Sequence, residues 1–485
     1  MKKECGILMP VFSLPGEYGT GTFGKESYDF IDFLKKSKHT VWQTLPLGQT
    51  TYGDSPYKTT GDSSLNPYFT DLEDLLARGL ITAEELKREK RTVGKVDYAR
   101  LYKSRYALLK KAYSRYILTD EFLAFVNGGS VKTFALFTAA KAVYGELTNF
   151  PDKLKKRDKR AIDEFLNEHY DEYLFYTFIQ FILREQYGKL KTYAAKSGIK
   201  IMGDLPLYVA ADGAEVWENP SQFCVDENLA PVKVAGVPPD YFSADGQLWG
   251  NPVYDYARMR EDGYKWWKKR LKFALGRYDL VRIDHFRGLD RFWAIPYGEK
   301  AVNGEWEKAD GKEFLLKFPR EKLVAEDLGT IDGGVRELLK VTGLKGMKVL
   351  LFAFDGNAAN PYLPENIDYN SVSYVGTHDN DTAYGYIKSA DKAKYAYLRK
   401  EVAKRLNRPL EKIKSARALT YALTDLLYSV KSQLVISSFA DLCALGNEYR
   451  INKPSTLGNW RVRFKKEFFT DELAARLALL ADSRK

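Results

Sequence analysis

Cysteine is scarce in this 485-residue chain, and its three copies, Cys5, Cys224 and Cys443, lie far apart with no C-x-x-C pair. Such a set supports neither a disulfide framework nor a zinc site. Long apolar runs are lacking too, since no stretch approaches the roughly 20 residues that a membrane helix requires. The apolar run at 6–12 is short, holds Pro10 and leads into Ser13-Leu14-Pro15-Gly16 rather than a small-residue cleavage site. It reads as a first β-strand and not as a leader, which makes the cytoplasm the expected compartment. Phosphate cradles of the G-x-x-x-x-G-K-[ST] or strand-linked G-x-G-x-x-G kind are absent. Only four histidines occur. No two of them stand at metal-ligand spacing and no Asp-x-Asp-x-Asp loop is found, so no metal is expected.

What is present describes an ordinary folded chain. Hydrophobic residues make up 45% and charged residues 29%, enough apolar surface to exclude wholesale disorder. The net charge of +11 invites a nucleic-acid reading. The basic residues, however, fall in mixed-sign stretches such as 84–95 and 152–160, which read as solvated helix faces. Neither a nucleic acid nor a membrane is therefore expected as a partner, and the sequence leaves the oligomeric state open.

Short apolar or β-branched runs recur at 6–13, 40–47, 198–209, 279–286, 322–328, 347–354, 371–378 and 434–440. Each has the length of a buried parallel strand, and helical patterns lie between several of them. Leu166, Tyr170, Leu174, Phe178 and Phe181 follow helical spacing as a core stripe before a stop at Gly198, and 394–405 and 415–428 also predict helices. Eight strands alternating with helices imply an α/β fold, a (β/α)8 barrel. The spacing predicts one barrel domain over 1–485 with two large insertions, mainly helical at about 50–196 and a second at about 210–278. Within the second, 231–252 is rich in Pro, Gly and aromatics and reads as a lid loop, while Trp266 and Trp267 read as core. Too few residues follow the eighth strand for a separate C-terminal β-sandwich.

Active sites of such barrels lie at the C-terminal ends of the strands. There this sequence places Asp204, then Arg282, Asp284 and His285, then Glu326 and Asp327, then His378, Asp379 and Asp381. A single Asp at a strand end is commonly a cap or structural partner, which is how Asp204, Asp327 and Asp381 are read. The coincidence of Asp284, Glu326 and Asp379 on strands four, five and seven is different. Converging carboxylates with Arg and His neighbours are suited to cleaving a glycosidic bond, one stabilising or attacking the sugar and another delivering a proton.

The segments 282–288, 325–329 and Tyr374-Val375-Gly376-Thr377-His378-Asp379-Asn380-Asp381-Thr382 resemble the amylomaltases, the 4-α-glucanotransferases of glycoside hydrolase family 77. The likeness covers nearly the whole chain. It runs through the motifs at 42–48 and 52–57, 203–209 and 236–242, to 452–456 and Asn459-Trp460.

The resemblance implies that Asp284 is the nucleophile, Glu326 the general acid/base and Asp379 the carboxylate that grips and distorts the sugar. It implies that Arg282, His285 and His378 orient the nucleophile or bind the sugar, and that Tyr57, Asp240, Trp249 and Asn459 contact substrate. It further implies maltooligosaccharides and α-1,4-glucans as substrates, transfer with retention of configuration, and no cofactor. An α-glucan hydrolase with the same carboxylates is the alternative. Two departures from the family pattern stand out. Ile451 and Ser455 replace a usual Met and Gly, and Leu351 replaces a usual Gln.

Overall fold

The computed structural model of the chain describes residues 3–51, 53–91, 94–239, 245–329, 331–454 and 456–484. Twelve strands form among them: β1 (Glu4–Leu8), β2 (Val41–Gln43), β3 (Lys200–Leu205), β4 (Lys233–Val237), β5 (Gln247–Pro252), β6 (Leu280–Ile283), β7 (Arg291–Pro296), β8 (Glu305–Lys308), β9 (Leu323–Ala325), β10 (Lys345–Val349), β11 (Ser371–Tyr374) and β12 (Leu434–Ser438). Eight of them close a parallel barrel in the order β1-β12-β11-β10-β9-β6-β3-β2. The barrel strands are buried nearly throughout, so both faces are covered, as a parallel sheet wrapped by helices requires.

Each expected strand overlaps one barrel strand, but several end earlier than the apolar runs predict. After β1 the chain turns into a short 3-10 helix at Val11–Ser13, and after β10 into another at Leu350–Phe352. Apart from Phe352, the residues there stay buried while their backbone leaves the ladder, because apolar packing continues above the barrel mouth. The close packing also leaves little room. A Cβ at Gly203 would lie 2.3 Å from the Tyr278 ring, so glycine is what lets β3 deliver Asp204 to the mouth.

The insertion after β2 is helical, as expected. Its longest member, Lys159–Lys196, starts on Asp158, whose side chain accepts from the Ala161 amide, and it stops before Gly198 at φ +75°. A kink at His169, with φ −124°, separates its two parts. Leu174 and Phe178 are buried and Leu166 and Phe181 partly so, but Tyr170 lies half exposed before Tyr173 takes its place in the core. The core stripe is therefore interrupted at Tyr170, next to the kink. Trp266 and Trp267 are buried, the latter stacked on Phe314 at 4.9 Å.

The second insertion differs from a plain lid loop. Strands β4 and β5 pair antiparallel within 231–252 and join β7 and β8, from beyond the fourth barrel strand, in a four-stranded sheet ordered β5-β4-β7-β8. A small apolar cluster of Val234, Ile295 and Ala301 packs with Trp293 on this sheet. Asp240, Tyr241 and Phe242 of the expected lid, like Tyr52 and Ser455, lie outside the described residues. Among the described residues none after Ser438 joins a sheet, and no single helix is long and apolar enough to cross a membrane.

Candidate active site

The barrel ladder itself sets two carboxylates side by side. Beyond β6 the Asp284 amide still donates to the Leu205 carbonyl at 3.0 Å, and the Glu326 amide donates to the Ile283 carbonyl at 3.0 Å. The Phe286 amide returns to the Glu326 carbonyl at 3.1 Å. Three consecutive strand ends, from β3, β6 and β9, are thus stitched together where the acidic residues emerge.

Arg282 occupies the centre. Its Nη1 donates to Asp204 Oδ1 and Oδ2 at 2.8 and 2.7 Å and to Asp284 Oδ1 at 2.9 Å, while Nη2 stands 3.9 Å from Glu326 Oε2. The guanidinium is 3% exposed and Asp204 is 0% exposed. Burial opposes the Arg282 charge, and the neighbouring Asp204 and Asp284 more than restore it, so its pKa lies above the usual arginine range. Asp204 and Arg282 are register partners on β3 and β6, which is why their side chains meet. Asp204 is therefore the base of the cluster and not a helix cap. The register of strands three and four was the signal that could have found it.

The two neighbouring carboxylates have unlike surroundings. Asp284 is 28% exposed and bonded to the arginine, whereas Glu326 is 13% exposed. Glu326 Oε2 accepts from the His285 amide at 2.8 Å and Oε1 from the Leu328 amide at 3.0 Å. Burial dominates over Arg282 and these amides, and with the nearby Asp284 charge it pushes Glu326 up to about 8. His285 offers its amide from a left-handed conformation, φ +46°, which is strained for a non-glycine residue. Burial also lowers its imidazole to about 4, so the ring is neutral near pH 7.

Opposite them, Tyr57 bridges β3 and the turn after β11. Its hydroxyl donates to Asp204 Oδ2 at 2.7 Å and lies 2.8 Å from His378 Nε2. His378 Nε2 is also 3.3 Å from Asp379 Oδ2, and Asp379, 41% exposed, receives Asn452 Nδ2 on Oδ1 at 2.5 Å. Trp460 packs on Tyr57 and His378 with ring centroids 5.7 and 6.1 Å away, and Trp249 meets His285 edge-on at 4.8 Å. Both Asn452 and Trp460 escaped sequence reasoning as site residues, although they flank Asn459.

Of the remaining sequence candidates, Asn459 is engaged within its own loop. Its Oδ1 accepts from the Lys453 amide at 2.9 Å, and its Nδ2 donates to the Lys453 and Thr456 carbonyls. Asp327 accepts from the Met347 amide at 2.6 Å, and Asp381 pairs with Arg450, both structural as read. A Cβ at Gly346 would lie 2.8 Å from the Asp327 carboxylate, so glycine admits that bond. Leu351 and Ile451, the two described departures, are both buried.

An arginine shared by unlike carboxylates at the mouth of a parallel barrel, rimmed by tyrosine and tryptophan, can perform acid-assisted displacement at a sugar carbon. Comparison with known proteins leads to the same chemistry. The profile of glycoside hydrolase family 77, described as 4-alpha-glucanotransferase, matches residues 9–469. The 4-alpha-glucanotransferase of Clostridium butyricum is 38% identical over 97% of this chain and 98% of its own length. That of Thermus thermophilus is 39% identical over 100% and 99%. The structure of the Streptococcus agalactiae amylomaltase in complex with acarbose superposes with a TM-score of 0.93 at 33% identity, covering 100% of this chain and 99% of that one. The Corynebacterium glutamicum amylomaltase, 20% identical with a TM-score of 0.79 over 99% of this chain and 75% of its own, shares the fold. The chain belongs to the 4-α-glucanotransferases of glycoside hydrolase family 77.

Proposed function

We propose that the chain moves segments of a 1,4-α-glucan to a new 4-position on glucose or another 1,4-α-glucan through a covalent ester on Asp284. In the first step an Asp284 carboxylate oxygen attacks the anomeric carbon while protonated Glu326 gives its proton to the departing glycosidic oxygen. In the second, the Glu326 carboxylate takes the proton of the acceptor's 4-hydroxyl, whose oxygen displaces Asp284. Two inversions retain the α configuration. Asp379 grips the distorted sugar in both transition states.

The observation that carries this reading is the split between neighbouring carboxylates. Arg282 donates to Asp284 and fixes the carboxylate where a nucleophile must stand, whereas burial holds a proton on Glu326 to about pH 8, as an acid needs. The Asp284 charge contributes to that elevation. Once Asp284 is esterified the contribution vanishes, Glu326 becomes more acidic, and it can act as the base.

Tyr57, Arg282, His285 and His378 join these carboxylates in one bonded network and are proposed to orient the nucleophile and bind the sugar. Trp249 is partly exposed and suited to stacking on a pyranose face. Asn459 acts through the loop it ties, and Asp240 keeps the substrate-contacting role implied by its motif. A relative's structure holds acarbose, and we propose that the same mouth here takes maltooligosaccharides. We read the chain as one catalytic domain, because a single apolar cluster runs from β1 through the helical insertion to the C-terminal helix. The cytoplasm suits its three free cysteines.

The test is incubation with maltotriose, followed by product sizing and a reducing-end count. Transfer conserves glycosidic bonds, so longer chains and glucose should accumulate while reducing ends stay nearly constant. A rise that keeps pace with donor cleavage would identify a hydrolase.

A further inference from the structure

Asp379 is held differently from the other two carboxylates. Asp284 and Glu326 hang on the barrel ladder, whereas Asp379 sits in a turn beyond β11 whose bonds at Asp379 and Asp381 come from the segment after β12. The Asn452 amide donates to the His378 carbonyl at 3.0 Å, and Asn452 Nδ2 reaches Asp379 Oδ1. Arg450 completes the connection with its whole guanidinium. Its Nε donates to the Asn452 carbonyl at 2.7 Å, Nη1 to Asp381 Oδ1 at 2.5 Å and Nη2 to the Asp379 carbonyl at 2.7 Å.

Three acceptors on two loops are met by one planar group that is 19% exposed. The fork geometry is what makes this possible, and a single ammonium could satisfy only part of it. The same loop continues to Trp460, whose amide bonds the Ile451 carbonyl and whose ring packs on Tyr57 and His378. Arg450 thus lies behind both the third carboxylate and the aromatic wall beside it, without being placed to touch the sugar.

We propose that Arg450 is a positioning residue that locks the Asp379 turn to the 450–460 loop, so that the grip on the sugar is set before substrate arrives. The inference rests on the reading of Asp379 as the gripping carboxylate. Released from Arg450, the Asp379 carbonyl, the Asp381 carboxylate and the Asn452 carbonyl would turn to water, and the two loops could drift apart. A shift of about 1 Å in a group that acts in the transition state costs on the order of 100-fold in rate.

Steady-state kinetics with maltotriose on Arg450→Ala, Asp379→Asn and the double variant test this. Arg450→Ala should lower kcat about 10- to 100-fold with KM within about threefold. In the Asp379→Asn background the same change should cost no more than about threefold, because its effect is transmitted through Asp379. Arg450→Lys should recover only part of the loss, and added guanidinium ion should raise the rate of Arg450→Ala saturably. Equal losses in both backgrounds, or an Arg450→Lys enzyme at the wild-type rate, would overturn the proposal. Should Arg450→Ala fail to fold, Asp381→Asn removes one anchor alone; kcat should fall about 3- to 10-fold, and an unchanged kcat would overturn it equally. Asp379→Asn at the wild-type rate would instead overturn the reading of Asp379.

Discussion

The two sides of this catalytic site are built by different means. On one side, Asp204, Arg282, Asp284 and Glu326 stand at the ends of three adjacent barrel strands, joined by backbone bonds of the ladder and by one buried guanidinium. On the other, Tyr57, Asp379 and Trp460 come from turns and an insertion joined through side chains such as His378 and Asn452, and Trp249 leans on His285 from β5 of the second insertion. Bond making and breaking tolerates little positional error, and the proposed nucleophile and acid lie on the rigid side. The groups proposed to receive and hold a flexible glucan lie on the side built from turns and insertions. Loops accept changes of sequence more readily than buried strands, and the departure Ile451 falls on that second side.

The sharpest test of the comparison is Asp284→Ala. No other group could form the glycosyl ester, so transfer should fall by about 10⁴-fold or more, measured as maltotriose consumption. The fold should survive, since Arg282 keeps its paired bonds to Asp204. Substantial residual transfer would mean that the ladder side is not where the chemistry happens.

Legibility in the sequence follows the same division. Barrel strands are buried on both faces, so they print as continuous apolar runs, and all eight could be read. The β5-β4-β7-β8 sheet is less legible: its inner strands β4 and β7 are largely buried and carry short apolar runs, but its outer strands β5 and β8 are half solvated. β8 reads Glu-Trp-Glu-Lys with three exposed residues, and β5 alternates before its buried end. Such strands carry no apolar run to notice. Asp284, Glu326 and Asp379 were legible from their strand ends and motifs. Asp204 was undervalued because its importance comes from register with Arg282, a property of two strands and not of one. Arg450 and Asn452 were invisible for a similar reason, as their partners lie about 70 residues away in the chain.

Glu326→Gln should give the next largest effect, a loss of about 10²- to 10⁴-fold on maltotriose, whose sugar leaving group needs a proton. α-Glucosyl fluoride should escape most of that loss in the first step, because fluoride leaves with little acid assistance. Glucosyl-enzyme should then accumulate, and intact-protein mass spectrometry with peptide mapping should locate it on the peptide carrying Asp284. An adduct elsewhere would refute the nucleophile assignment. Turnover of maltotriose at the wild-type rate would refute the acid.

The loop side should respond more mildly and in KM. Trp249→Ala removes an aromatic face but none of the ladder, so KM should rise about 3- to 10-fold with kcat changed less. Opening the mouth to water should also increase the share of cleaved donor that appears as new reducing ends. If kcat collapsed and KM held, Trp249 would belong with the rigid side, and the boundary between the two sides would lie elsewhere.

The smallest effect is a displacement along the pH axis. As the proposed acid, Glu326 must be protonated for the first step, and its pKa in the free enzyme is raised from the ordinary carboxylate range to about 8. The log of kcat/KM should therefore bend downward near pH 8 and then fall by about one for each further pH unit, as the acid form is lost. The sign follows from burial, which disfavours the charged form and so keeps the proton on to higher pH. Two variants separate Glu326 from other groups. Glu326→Gln with α-glucosyl fluoride should lack the limb in its first step, because the titrating group is gone and the leaving group does not need it. Asp284→Asn removes a charge that raises the Glu326 pKa, so the Glu326 carboxyl should titrate at lower pH in that variant, followed by its infrared band. A limb that persists in Glu326→Gln, or a Glu326 band that does not move in Asp284→Asn, would break the electrostatic link between the two carboxylates on which the rigid side of the site depends.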